Sequence, residues 1–188
     1  MQQIIKQIKE QVHELFQENH KNKYQNPEWI FPNHIDPMIE ICNELCEKHN
    51  GNKEICELAC ILHDTGLVYK RTQESPVGHE ERSVEYACKI FEEFFIDKQM
   101  KEDIINCIIA TECKGEVDNI NERIVRTADN LSKFITPHFF AKACFSGNWE
   151  DYSEWLKNKV SKSYANICFK EEQEEIREVK NWILSILK

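Results

Sequence analysis

The sequence predicts an all-α protein made of short helices. Glycine and proline number only five each in 188 residues, while Glu, Lys, Gln, Ile and Leu recur throughout, a mixture that favours helices over strands closed by tight turns. Apolar residues also return at spacings of three and four, the period of a helix with one buried face. The length fits one domain, residues 1–188, large enough to bury a substantial core.

Residues 2–19 place Ile4, Ile5, Ile8, Val12, Leu15 and Phe16 on one stripe opposite Lys, Gln and Glu, an amphipathic first helix. Asn22 to Pro32 combines Asn26-Pro27 with Trp29, Ile30 and Phe31 and reads as an ordered loop. A second helix is expected from Asn33 or Asp36 to Asn50-Gly51, with Asp36 as cap and Pro37 at the first helical position. His34 then lies at its mouth. A third helix runs from about Lys53 to the pair His63-Asp64, and Gly66 is expected to stop it as a C-terminal glycine. Tyr69 to Gly78 reads as a polar loop carrying Lys70 and Arg71.

The fourth helix, His79 to Phe95, has Val84, Ala87, Cys88, Phe91, Phe94 and Phe95 as its apolar face. Asp97 caps a fifth, with a stripe of Met100, Ile104, Ile105, Ile108 and Ile109. Asn119 or Asn121 opens a sixth, which bears Ile124, Val125, Ala128 and Leu131 and includes Asp129. Thr136-Pro137 signals a seventh, stopped at Gly147. Two further amphipathic stretches fill residues 150–187, and the Glu-rich run 171–175 reads as a solvated helix face. There is no internal repeat and no low-complexity linker.

A formal charge of −9 and the lack of a long basic stripe argue against general nucleic-acid binding. No apolar run approaches the roughly 20 residues that cross a bilayer, and the start lacks the apolar core of a secretion signal. The expectation is a soluble cytoplasmic protein without a membrane partner. Nine cysteines are many, but the number is odd, and Cys42/Cys46 and Cys56/Cys60 are each four apart, where they stack on one helical face as small apolar residues. With no Cys-x-x-Cys pair, reduced core thiols are expected rather than disulfides or a thiolate metal site.

Chemistry concentrates in His34, His63, Asp64 and Asp129. Imidazole nitrogen and carboxylate oxygen suit ions such as Zn, Mn, Fe or Co, and two of each leave positions open for water and a substrate oxygen. Asp129 lies in the apolar setting Ile124-Val125-Arg126-Thr127-Ala128-Asp129-Asn130-Leu131, where an ionised carboxylate needs a compensating partner. His13, His20, His49 and His138 fit no pattern and read as surface or packing residues.

The order His34, His63-Asp64, Asp129 resembles the HD-domain superfamily of metal-dependent phosphohydrolases. His63-Asp64-Thr65-Gly66 is similar to its His-Asp-x-Gly helix end, Gly78-His79-Glu80-Glu81-Arg82-Ser83 to its His-Glu-x-x-Ser stretch, and Thr127-Ala128-Asp129-Asn130-Leu131 to its Ala-Asp-x-Leu helix. The resemblance spans about residues 30–135 and implies a compact bundle of short helices, here with extra N- and C-terminal helices.

By that resemblance His34, His63, Asp64 and Asp129 hold one divalent ion (Mn, Fe, Co, Ni, Zn or Mg). His79 is similar to a position that in some members helps to bind a second metal or the substrate phosphate and is expected to be catalytic, but Thr111 and Glu112 stand where a second-site histidine is usual, which favours one metal. The expected activity is hydrolysis of a phosphate ester of a nucleotide or related small metabolite by a metal-bound water, with Asp64 orienting the water and Lys70, Arg71 or Arg82 neutralising phosphate. Thr65-Gly66-Leu67-Val68 lacks the Glu-Asp pair of alarmone hydrolases, and the Gly-Tyr-Pro signature of cyclic-dinucleotide phosphodiesterases is missing. The alternatives are a non-catalytic metal- or nucleotide-binding module and, ranked last, an oxygenase-like site needing two irons. An amphipathic terminal helix leaves a homodimer open.

Overall fold

The structure, a computed structural model, describes residues 1–18, 27–70, 78–141, 143 and 147–187. Among them the protein is all-α, with no strand. Helices α1 (Gln2–Glu18), α2 (Pro27–Ile30), α3 (Asp36–His49), α4 (Lys53–Leu62), α5 (His79–Glu93), α6 (Lys98–Ala110) and α7 (Ile120–Ile135) form the first part. Helices α8 (His138–Ala141), α9 (Trp149–Ala165), α10 (Lys170–Glu175) and α11 (Arg177–Ser185) complete the chain. No helix among the described residues is long and apolar enough to cross a membrane.

Local chemistry starts several helices where polar caps stand. Asn52 accepts from the amides of Glu54 and Ile55, Asp97 from Met100, Asn119 from Asn121 and Asn148 from Asp151, each satisfying an amide that the first helical turn leaves unpaired. Helix α3 departs from this rule. The expected loop is helical from Pro27 on and continues through a π-helical turn, Phe31–Ile35, into α3. Asp36 is thus no cap; its carboxylate meets Lys9 at 2.7 Å. Pro32 has no amide to donate and its ring crowds the carbonyl one turn back, so the backbone widens there. The Asn33 side chain donates to the Trp29 carbonyl at 3.0 Å.

The main core gathers α1, α3, α4, α5, α6 and the first half of α7, around side chains such as Phe16, Met38, Leu58, Phe91, Ile108 and Ile124. A second core joins the end of α7 to the C-terminal helices through Phe134, Phe139, Tyr152, Leu156, Val160 and Ile183. Helix α7 belongs to both. Three residues expected on apolar faces are exposed: α5 ends at Glu93 and Phe95, at φ 53°, points out 92 % exposed, and Cys88 and Ile109 are exposed as well. The cysteines among the described residues are free, but Cys42, Cys46 and Cys56 bring their thiols within 4.8 Å of one another where α3 packs on α4.

Glu172 does not join the solvated face expected of the acidic run. It is 4 % exposed, receives Lys48 at 2.8 Å and His49 at 3.1 Å, and so fastens α10 to the end of α3. Burial pushes its carboxyl up, but the hydrogen bonds from Lys48 and His49 outweigh this and leave it below the ordinary glutamate value. The ionised form therefore stabilises the fold, fully above about pH 4.3, the unfolded value, and less as pH falls through the lower folded value. Glu172→Gln is expected to cost about 1–3 kcal/mol at neutral pH. Denaturant titrations at several pH values should show the gap from wild type closing in acid; a constant gap would exclude the linkage.

Candidate metal centre

Four side chains converge from three places in the chain. The π-helical turn aims His34 inward, the end of α4 supplies His63 and Asp64, and the middle of α7 supplies Asp129. Ligand atoms of His34, His63 and Asp129 all lie within 4.8 Å of one another. His34 Nε2 is 3.2 Å from Asp129 Oδ1 and 3.6 Å from Asp64 Oδ2, and His63 Nε2 is 3.4 Å from Asp64 Oδ2. His34, His63 and Asp129 are almost wholly buried.

The proton positions on the imidazoles follow from their outer partners. His63 Nδ1 lies 2.8 Å from the Cys60 carbonyl, which only accepts, so Nδ1 carries the proton. Ser132 donates its hydroxyl to the Asp129 carbonyl at 2.9 Å, leaving its oxygen to accept from His34 Nδ1, also at 2.9 Å. In neutral imidazoles both Nε2 lone pairs then face each other across 3.3 Å, with two carboxylates beside them. Four electron-rich groups in one buried place repel unless a cation sits among them. Ligand nitrogens sharing one ion at about 2.1 Å each stand roughly 3 Å apart, so the spacing suits a single metal ion. The donor set fits the divalent ions expected from the sequence.

Electrostatics express the same demand for positive charge. Burial raises the Asp129 carboxyl, yet Lys133, His34 and His63 hold it well below the usual range. Asp64 is likewise held down against burial, chiefly by His63 and His34. At His63 the pull of Asp64 and Asp129 overcomes burial and lifts the imidazole above its ordinary value, whereas burial dominates at His34 and lowers it.

These groups line a cavity of about 490 Å³ between the two cores. His79, at the start of α5, lies on its wall with Nε2 3.6 Å from Asp64 Oδ1 and Nδ1 3.1 Å from Glu80 Oε2. Thr111 and Glu112 line it too, but Thr111 donates to the Ile108 carbonyl at 2.7 Å and Glu112 pairs with Lys114 at 2.7 Å. Two of the cations expected to meet phosphate, Lys70 and Arg82, are engaged outside the cavity lining. Lys70 pairs with Glu85 and does not line the cavity, Arg82 donates Nε to the Gly66 carbonyl at 2.9 Å, and Arg71 lies outside the described residues. Among the described residues the lysines that line the cavity are Lys133, Lys159 and Lys162.

Sequence reasoning passed over several of these groups. Lys133 donates to Asp129 Oδ2 at 2.5 Å, a helical i, i+4 pair that spacing alone would have flagged. His138, which fits no pattern in the sequence and reads there as a surface or packing residue, packs its ring 5.0 Å from that of His34 and 5.8 Å from Trp29 and lines the cavity as well. Its Nδ1 is buried with no hydrogen-bond partner, and burial together with the charges of His34 and Lys133 keeps the ring neutral. No local spacing announces it.

The HD domain family model matches residues 33–133, a span that contains all four converging residues and stops before α8. No curated protein and no solved structure matches the chain.

Proposed function

Because the chain belongs to the HD domain family, we propose that it is a metal-dependent phosphohydrolase acting on a phosphate ester of a nucleotide or related small metabolite. The observation carrying this reading is the convergence of His34 Nε2 and His63 Nε2, 3.3 Å apart, with carboxylate oxygens of Asp64 and Asp129 beside them. His34, His63, Asp64 and Asp129 would hold one divalent ion. Such an ion polarises the phosphoryl group and lowers the pKa of water from about 16 towards roughly 7.

The protein's own groups handle the proton. Asp64 turns one oxygen to the imidazoles and the other to His79, and in this reading it would orient the attacking water or accept its proton. His79 is flanked by Asp64 and Glu80 and in this reading would carry that proton onward to the departing oxygen. Arg82 acts indirectly, holding the turn after Asp64 against α5 through the Gly66 carbonyl. Thr111 and Glu112, both engaged with neighbours, favour one ion over two.

The test is a phosphate-ester screen on protein supplied in turn with Mn, Fe, Co, Ni, Zn and Mg. Release of phosphate or of a nucleoside product is expected with at least one ion, and Asp64→Asn should lower kcat by about 100-fold or more. Metal binding with no hydrolysis of any ester would replace the enzyme by a metal- and nucleotide-binding module.

A further inference from the structure

The cavity has a wall that lies outside the family match. Residues 33–133 supply its floor, but one face of α9 and its C-terminal cap residue close it: Trp155, Lys159, Lys162 and Ser163 of the helix and Asn166 just after it all line it. Their spacing is i, i+4, i+7, i+8 and i+11, a single helical stripe. Leu156 and Val160, on another side of the same helix, are buried in the second core and fix how that stripe is turned.

The stripe has a distinct chemistry. Lys133 is committed to Asp129, and Lys48 and Lys70 to glutamates. Lys159 and Lys162 have no carboxylate within ion-pairing distance among the described residues. Lys159 is only partly exposed, and the neighbouring charge of Lys133 together with burial holds its ammonium down to about 8. Cations gathered against one another in a cleft favour the arrival of an anion. Trp155 stands one turn before Lys159 on this face, and Trp29 lines the cavity as well. Indole faces suit planar rings. A volume of about 490 Å³ lies in the range that encloses a ligand larger than bare phosphate.

We propose that the α9 face is the substrate-recognition wall, with Lys159 and Lys162 receiving the phosphate of a nucleoside monophosphate and Trp155 stacking on its base. A phosphate monoester is close to a dianion at neutral pH, since its second pKa is about 6, and two ammonium groups with no carboxylate partner among the described residues match it. The inference rests on the phosphohydrolase reading for its reaction, but the binding it claims is measurable without turnover.

The experiment uses full-length protein loaded with one metal ion and titrated with AMP, UMP, ribose 5-phosphate and adenosine, alongside steady-state hydrolysis of the phosphorylated probes. Wild type is expected to bind a nucleotide at least about tenfold more tightly than ribose 5-phosphate or adenosine. In Lys159→Ala/Lys162→Ala the affinity for both phosphates should fall by about tenfold or more with metal content unchanged, and KM should rise more than kcat falls. Lys159→Arg/Lys162→Arg should recover most of that affinity, which a merely structural role would not require. Trp155→Ala should weaken the nucleotides about tenfold and leave ribose 5-phosphate nearly unaffected. Wild type that hydrolyses esters while the double alanine variant keeps its KM would overturn the wall and spare the enzyme. Nucleotide binding through this wall without hydrolysis of any ester would overturn the enzyme and spare the wall.

Discussion

Protein carrying His63→Ala and Asp64→Ala is expected to emerge from purification with almost no bound divalent metal, where wild type carries about one equivalent. The double substitution removes one of the two facing imidazole nitrogens and the carboxylate 3.4 Å from it, so the remaining His34 and Asp129 are too few to hold an ion. A subtler substitution probes the same centre from outside. Ser132→Ala removes the oxygen that accepts from His34 Nδ1, freeing the ring to turn or change its proton position. Affinity for the ion is expected to fall about 10–100-fold with the fold intact. Elemental analysis and competition with a metallochromic chelator measure both effects. Undiminished metal in the double variant would remove His63 and Asp64 from the centre.

Of the five glycines, Gly66 is the one where an added methyl, as in Gly66→Ala, is expected to do most damage. A Cβ at Gly66 would stand 1.8 Å from the His79 carbonyl oxygen and 2.7 Å from the Ser83 amide, contacts with backbone that no side-chain rotation relieves. Helix α5 would have to move away. That motion breaks the hydrogen bond from the Gly66 amide to Ser83 Oγ at 2.8 Å and the one from Arg82 to the Gly66 carbonyl, and it carries His79 away from Asp64. The loss should reach about 3 kcal/mol or more, a fall of roughly 6–12 °C in Tm for a chain of this size. Differential scanning calorimetry reads it. A Tm within about a degree of wild type would show that α5 does not approach so closely.

Gly66 also shows how a motif is readable while its reason is not. Its place after His63-Asp64 suggested a left-handed helix stop, but positive φ among the described glycines belongs to Gly78 and Gly115. At Gly66 the missing side chain makes room for a helix that starts thirteen residues later. Local sequence contains no information on that approach, because it depends on where α5 lands. Glu172 repeats the lesson: a run of glutamates reads as solvated until α10 docks on α3 and one of them meets Lys48 and His49.

The all-α class, helix starts near Lys53, at Asp97 and at Asn119 or Asn121, and the grouping of His34, His63, Asp64 and Asp129 were legible from residue order, because period, capping and metal-ligand chemistry act over a few positions or through recognisable motifs, although only the structure chose Asn52 and Asn119 as the caps. The widened turn that points His34 inward was not, since two prolines and a buried aromatic cluster compete there. Nor were the cavity's far wall and its lysines. His138, Lys159 and Lys162 come to face Asp129 only because α7 runs from one core into the other and the second core turns α8 and α9 back over the site. Packing between helices far apart in the chain sets that juxtaposition, and no short-range pattern encodes it.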